Sequence, residues 1–332
     1  MKRTFFIPIA TFFLLSGWGS DNDAPVVANN PTLEITSNNA MLVGKVAYAS
    51  ALASQQLGDA GGNIPIGSAQ GLVASFDTNI AAVAKIGNAD NNGSQVPVPP
   101  ETIPCAVSGS QTVSGDIADP ITPTLTAGDF FQLEYSACDD GLGEIKNGIV
   151  RLDIDAFSGI FLSESFSMTL TLTMTNFQVS IFENQSATPT DVLTSNGGAT
   201  LSIDTMNFPV VSTSISGTSL VVDANAGSAS LTNFASNLSL DGNVAPPPYT
   251  TSASGTLDST ELAGIIRYST PITFAGLGSD YPGSGEFLVE GLGSSLRLIA
   301  ENNVDVRIEI DLGADGTIDE TINTTWAELN AP

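Results

Sequence analysis

The residues best suited to chemistry lie near the carboxyl end, in the stretch DLGADGTIDE. Asp311, Asp315, Gly316, Ile318 and Asp319 occupy the first, fifth, sixth, eighth and ninth positions of a twelve-residue calcium-loop pattern. In such a loop, alternating oxygen ligands surround the cation and glycine makes the sharp turn. Here Gly313 stands third, where an oxygen ligand belongs, and Ile322 stands twelfth, where a bidentate glutamate belongs. The flanks alternate like strands, so the same residues also read as a hairpin whose turn uses Ala314, Asp315 and Gly316. Calcium is the cofactor this stretch suggests, with Asp311, Asp315 and Asp319 as its ligands.

Other acidic groupings are less specific. CDDGLGE places Asp139, Asp140 and Glu144 beside a cysteine, and an acidic turn is the simpler reading. Asp153 and Asp155 share one face of GIVRLDIDAF and could act as an acid–base pair, although paired strand acids are commonly just solvated. Gly276, Gly278 and Gly283 punctuate FAGLGSDYPGSGEF, but no lysine and no helix follows to cradle a phosphate. The chain has no histidine, which removes the commonest general base and the commonest transition-metal ligand. No residue is assigned a catalytic role, and a carboxylate-only or metal-assisted hydrolase ranks last among the readings.

Cys105 and Cys138 are the two cysteines. An even pair in an oxidising compartment reads as a disulfide, worth roughly 3 kcal/mol by loop closure. Against 9 basic residues stand 35 acidic ones, a net charge of -26. That field repels phosphate backbones, so nucleic acid is not an expected partner.

Alternation of apolar and polar residues dominates from Cys105 to Trp326. In SFSMTLTLTMTNFQVSIF, Phe166, Met168, Leu170, Leu172 and Met174 point one way and the intervening serine and threonines the other, as in a half-buried strand. At Asn176 the phase slips and Phe177, Val179 and Ile181 take over, as a bulge would require. Similar segments recur with Gly, Asn, Ser or Pro turns between them. ASLTNFASNLSL fits either element and is read as a strand. Trp326 is expected to anchor the core or an edge. The expected fold is mainly β: a large antiparallel sheet over 105–329, forming a sandwich or partly open barrel.

A small helical section is expected over 37–86. Its first helix spans 38–58 with Leu42, Val46, Ala49, Ala53 and Leu57 as its apolar face, and its second spans 68–86. The Gly-, Asn- and Pro-rich stretch 87–104 reads as a linker or extended strap.

Met1, Lys2 and Arg3 precede an apolar run from Phe5 to Leu15 that is too short to span a bilayer. Residues 1–19 therefore read as a secretory signal, and 20–36 as a disordered leader. Leu15, Ser16 and Gly17 resemble the signal of bacterial lipoproteins, in which the next residue is the cysteine that carries the lipid. Trp18 stands there instead, so anchoring through a lipid is not possible at that position. Beyond the first twenty or so residues, the glycine-punctuated strands ending in GADGTIDETINTTWAEL look like those of exported bacterial β-proteins without an assigned activity.

These resemblances imply an exported protein, periplasmic or extracellular, with association to the outer membrane left open. The expected role is that of a non-enzymatic cell-envelope protein that binds an envelope partner or an apolar ligand. An apolar ligand would lie against Phe166, Met168, Leu170 and Met174. The alternative role is a calcium-stabilised surface or adhesion module.

Overall fold

Period-two alternation, broken by turn residues every six to sixteen positions, dictates a meander of strands. The computed structural model describes residues 30–59, 96–118, 125–141, 143–159, 165–182, 188–225, 227–278 and 280–330. The expected signal with Trp18, the expected leader up to 29 and the helix expected over 68–86 lie outside them. Among the described residues fourteen strands follow one helix, α1 (Ala40–Asp59). They are β1 (Val96–Pro104), β2 (Ser108–Ile117), β3 (Phe130–Asp139), β4 (Glu144–Gly159), β5 (Phe166–Ile181), β6 (Asp191–Asp204) and β7 (Val210–Ala224). Then come β8 (Gly227–Asp241), β9 (Pro248–Ser259), β10 (Gly264–Leu277), β11 (Ser284–Glu290), β12 (Ser295–Ala300), β13 (Asp305–Asp311) and β14 (Glu320–Thr325). A single helical turn, α2 (Trp326–Leu329), ends the described chain.

All fourteen strands form one sheet in sequence order, each antiparallel to the next, with β1 and β14 at its open edges. The expected mainly β, antiparallel fold is the one observed, and it is open rather than closed into a barrel. ASLTNFASNLSL is a strand, within β8. Because connections are short, successive turns alternate between the two ends of the sheet. Apolar residues collect on one face, where a single continuous core runs from α1 through every strand from β1 to β13 and on to Trp326 and Leu329.

A line of bulges creases the sheet. The phase slip expected at Asn176 is present: register shifts between Met174 and Phe177, and Asn176 sits at φ 46°. Its neighbour β4 slips at the same level, at Gly148, with φ 93°. A Cβ there would lie 2.1 Å from the Asn176 carbonyl oxygen, so only glycine fits. The crease continues through Ala137 in β3, Gly109 in β2, Gly197 in β6 beside a slip at Gly217 and Thr218 of β7, and Asn233 in β8. Each bulge adds twist and bend while returning the next apolar residue to the same face. Repeated from β2 to β8, these bulges bend that part of the sheet along one line without turning the core outward.

α1 lies against the apolar face. It packs on β7, β8 and β9 and also on β11, β12, β13 and α2, so the sheet wraps it from two sides. Its buried positions are Ala40, Val43, Ala47, Tyr48 and Ala51. The expected face was different, and Leu42 is exposed. The inward face is made of small residues because β12 comes close: a Cβ on Gly44 would lie 3.2 Å from Leu298. Large aliphatics marked the wrong stripe. Tyr48 projects among Phe274, Phe287 and Trp326, with ring centroids 5.0 to 5.9 Å away.

Two boundary expectations change. Residues 96–104, read as linker, form edge strand β1 along β2. Prolines 97, 99, 100 and 104 are tolerated at an edge, where a missing N–H breaks few rungs and also discourages foreign strands. The end of the leader is docked too. Thr32 and Leu33 donate backbone N–H groups to the Ile265 carbonyl at 3.0 and 3.2 Å, and Leu33 accepts from Leu292 at 2.7 Å. Ile35 is buried and its N–H donates to the Ser294 hydroxyl at 2.7 Å.

Trp326 begins α2 rather than ending a strand. Thr325 and Glu328 form a reciprocal capping box around it, and its indole N–H donates to the Asn302 carbonyl at 3.2 Å. Trp326 is 0% exposed.

Candidate functional site

The acidic loop between β13 and β14 is organised around its own backbone. Asp311, itself buried, accepts N–H groups from Gly313 and Asp315 on Oδ1, at 3.1 and 3.2 Å, and from Gly316 on Oδ2 at 2.8 Å. Asp319 accepts from the Leu312 N–H and Asp315 from the Thr317 N–H, both at 2.8 Å. The Thr317 bonds hold the Asp315 carboxyl below its ordinary range. Ala314 and Gly316 take positive φ in the turn. This is a hairpin loop capped by three carboxylates, each committed to amides. The structure does not gather Asp311, Asp315 and Asp319 into one cluster. Among the described residues, the one group with three candidate ligand atoms within 4.8 Å is Cys105, Cys138 and Asp140.

That group holds a disulfide. Cys105 and Cys138 are joined, their Cα atoms 5.5 Å apart and 33 positions apart in sequence. The bond ties the turn after β1 to the end of β3, at the crease. Beside it, Lys146 is 7% exposed and its ammonium lies 3.4 Å from Asp140 Oδ2. Half-burial raises the Glu144 carboxyl, the Lys146 charge opposing and Asp140 reinforcing the shift. Asp139 Oδ1 accepts the Gly141 N–H at 2.8 Å. With both sulfurs in the disulfide, no thiolate remains for a metal, and the acids here form an acidic turn around one buried lysine.

Asp153 and Asp155 do not work as a pair. Arg151 grips Asp153 with Nε at 2.9 and 3.0 Å and Nη2 at 2.6 Å, while its guanidinium lies 3.8 Å above the Phe130 ring. Asp155 sits in a register slip and accepts the Thr171 hydroxyl at 2.7 Å. Of the glycines singled out, Gly278 takes positive φ at the turn after β10, and Gly276 lies flat beneath Tyr249, where a Cβ would come within 2.5 Å of the ring. Gly283 donates its N–H back to Ala275 across the same turn at 2.8 Å. Phe166, Met168, Leu170 and Met174 are 4, 2, 0 and 3% exposed and belong to the continuous core.

A site that sequence reasoning missed opens on the opposite, polar face. Register pairing lines up Ser167, Asp204, Ser212, Ser239 and Thr250 in one row across β5 to β9. A parallel row holds Thr169, Ser202, Ser214, Asn237 and Ser252. Adjacent strands stand about 4.8 Å apart and the rows about 6.6 Å apart. A cavity of about 450 Å³ lies over them, lined by nine of these ten residues, by the intervening Ile203, Thr213, Leu238 and Thr251, and by Thr273.

The cavity's end wall is built by β10. Between Ser269 and Phe274 the register breaks. The Thr270 hydroxyl takes over the lost rung, accepting the Ala253 N–H at 2.9 Å and donating to the Ala253 carbonyl at 3.0 Å. Freed from pairing with β9, the chain bulges and brings Thr273 to the cavity.

Within the trough Thr169 and Ser202 share a hydrogen bond of 3.0 Å, and Asn237 donates to Ser252 at 3.4 Å. Asp204, an exposed residue, accepts the Met206 N–H on Oδ1 at 2.8 Å. The site can donate and accept hydrogen bonds on a fixed lattice. It holds no nucleophile and base in contact. The alternate polar positions of each strand are visible in the sequence, but only the register places them in rows.

No protein family matches the chain, and neither a curated protein nor a solved structure does. Among the described residues no helix is long and apolar enough to cross a membrane. The sheet itself turns Arg151, Asp153 and the threonines of β5 outward and its aliphatics inward, the inverse of a lipid-facing barrel.

Proposed function

We infer that this chain is an exported, non-enzymatic cell-envelope protein that binds a partner through the polar face of its sheet. The observation that carries this reading is the trough across β5 to β9, a cavity of about 450 Å³, within the range of ligand sites. Export is supported by the Cys105–Cys138 disulfide, a bond that persists in oxidising compartments, together with the signal-like amino terminus. The packing of Phe166, Met168, Leu170 and Met174 into the core favours a partner over an apolar ligand. Carboxylates committed to backbone amides in the β13–β14 loop give the calcium-stabilised alternative no comparable support.

The test is expression of the full chain in a Gram-negative host, with free thiols alkylated before lysis and the compartments then separated. The expected result is a periplasmic or extracellular protein with a new amino terminus near Gly19 and no alkylated cysteine. A cytoplasmic protein with both thiols alkylated would overturn the reading.

A further inference from the structure

We propose that the trough takes a linear, uncharged oligosaccharide laid across the strands from β5 to β9. This rests on the reading of the chain as an exported binding protein and names the ligand class for that site.

Charge sets the first limit. The lining contains no lysine or arginine and one carboxylate, Asp204, in a chain of net charge -26. Phosphate, sulfate or uronate groups would meet repulsion and find no counter-charge. A strongly cationic ligand would find a single acid where it needs several. A neutral ligand remains, and its polar groups must match the donors and acceptors present, since buried polar groups without partners are costly.

The polar partners in the lining are hydroxyls, an amide and one carboxylate, with Ile203 and Leu238 between them. Serine and threonine hydroxyls both donate and accept, as sugar hydroxyls do, so either side can rotate to satisfy the other. Asn237 adds a fixed donor and acceptor, and the Asp204 carboxylate adds a strong acceptor. An apolar ligand would strand these groups, while a peptide would leave most of the hydroxyl lattice without matching partners at its apolar side chains.

Shape and rim agree with the same class. Five strands span about 19 Å at the usual inter-strand spacing, room for a few sugar rings end to end. The turn that joins Asp204 to β7 carries Met206 and Phe208, 47 and 52% exposed. Ile272, also exposed, stands in the β10 bulge next to Thr273. A sugar ring is amphipathic: its edge hydroxyls suit the polar floor, and its C–H face suits an exposed aromatic such as Phe208 in the adjoining turn.

The test uses the full processed protein, isotope-labelled, titrated separately with cellohexaose, laminarihexaose and hexagalacturonate. Amide shifts are followed by nuclear magnetic resonance. The proposal expects at least one neutral hexasaccharide to shift amides of Ser212, Ser214, Asn237 and Ser239 saturably, with hexagalacturonate causing none of these shifts. Asn237→Ala and, separately, Ser214→Gln, which fills the trough from an outward position, should each raise Kd at least tenfold with an unchanged melting temperature. Should either variant fail to keep its fold, Phe208→Ala at the exposed turn gives the same readout. Saturable shifts confined to another face, preference for the acidic hexasaccharide, or no shift with any of the three would overturn it. Those outcomes leave the export experiment untouched, so failure of the ligand class and failure of the exported-protein reading are separately visible.

Discussion

Replacing both cysteines, Cys105→Ala with Cys138→Ala, should lower stability by an amount that follows from the loop they close. The bond spans 33 positions, and loop-closure entropy for that length is about 12.5 cal/mol/K, or between about 3 and 4 kcal/mol at 25 °C. The loop contains β2 and most of β3, which pair with each other and with β4. Losing the bond therefore adds freedom to the unfolded chain while the sheet keeps its rungs. The assay is urea unfolding of the processed protein followed by fluorescence. If the proposed signal is removed with Trp18, Trp326 is the sole tryptophan, and it sits in the core far along the sheet from the disulfide. With a slope of roughly 3 kcal/mol/M for a chain this long, the midpoint should fall by about 1 M with the slope unchanged. Two results would refute the reasoning. One is a midpoint shift too small to measure. The other is a separate early phase in far-ultraviolet circular dichroism that leaves Trp326 unmoved, because the sheet would then not unfold as one unit.

Three other outcomes are expected. Burial holds the Tyr48 and Tyr135 hydroxyls far above their ordinary range and pushes Tyr249 up to about 12. Unfolded tyrosines ionise near 10, so the tyrosine contribution to stability should be constant below about pH 10 and be lost as pH rises through the folded values; melting temperatures that stay flat from pH 9 to 12 would contradict this. Trp326→Ala should cost about 3 to 5 kcal/mol, because the indole is fully buried among Tyr48, Phe274 and Tyr281; a cost below about 1 kcal/mol in urea unfolding would mean that this end of the core is loose. Asp311→Ala removes acceptors for three amides and should cost about 1 to 3 kcal/mol, while calcium or a chelator should leave the parent melting temperature unchanged. A calcium-dependent rise that Asp311→Ala abolishes would restore the metal reading.

Much of the fold is legible in the sequence because alternation has a period of two and a buried face tolerates no slip. The bulge at Asn176 could be read for the same reason: the apolar phase changes there, and only an extra residue reconciles the two halves of β5. What could not be read is cooperative. Gly109, Ala137, Gly148 and Asn233 give separate local hints, and their alignment into one crease depends on pairing across seven strands. The α1 face was misjudged because its buried stripe includes Gly44, Ala47 and Ala51, and Gly44 matters by being small enough for Leu298 of β12 to approach. Prolines 97, 99, 100 and 104 signalled a linker because proline breaks ladders, yet an edge strand has one side on which no ladder is needed.

The candidate site was less legible than the fold. Acidic residues drew attention to Asp311, Asp315 and Asp319, whose carboxylates serve their own loop. The trough is made of serine, threonine and asparagine, residues that signal nothing singly. Their meaning lies in register, which sets Ser212 beside Ser239 and Ser214 beside Asn237. It also depends on a bulge in β10 that walls the cavity, and neither the register nor the bulge's consequence is local.

The most direct measurement is a native mass spectrum of the exported protein, purified without detergent and sprayed with and without cellohexaose and laminarihexaose. Because the apolar face is a filled core and the binding face is polar, the processed chain should carry no lipid-sized adduct. With at least one of the two hexasaccharides present, it should gain one ligand mass that Asn237→Ala reduces. A lipid-sized adduct that survives purification, with no gain from either sugar, would contradict the assignment of core and binding face together.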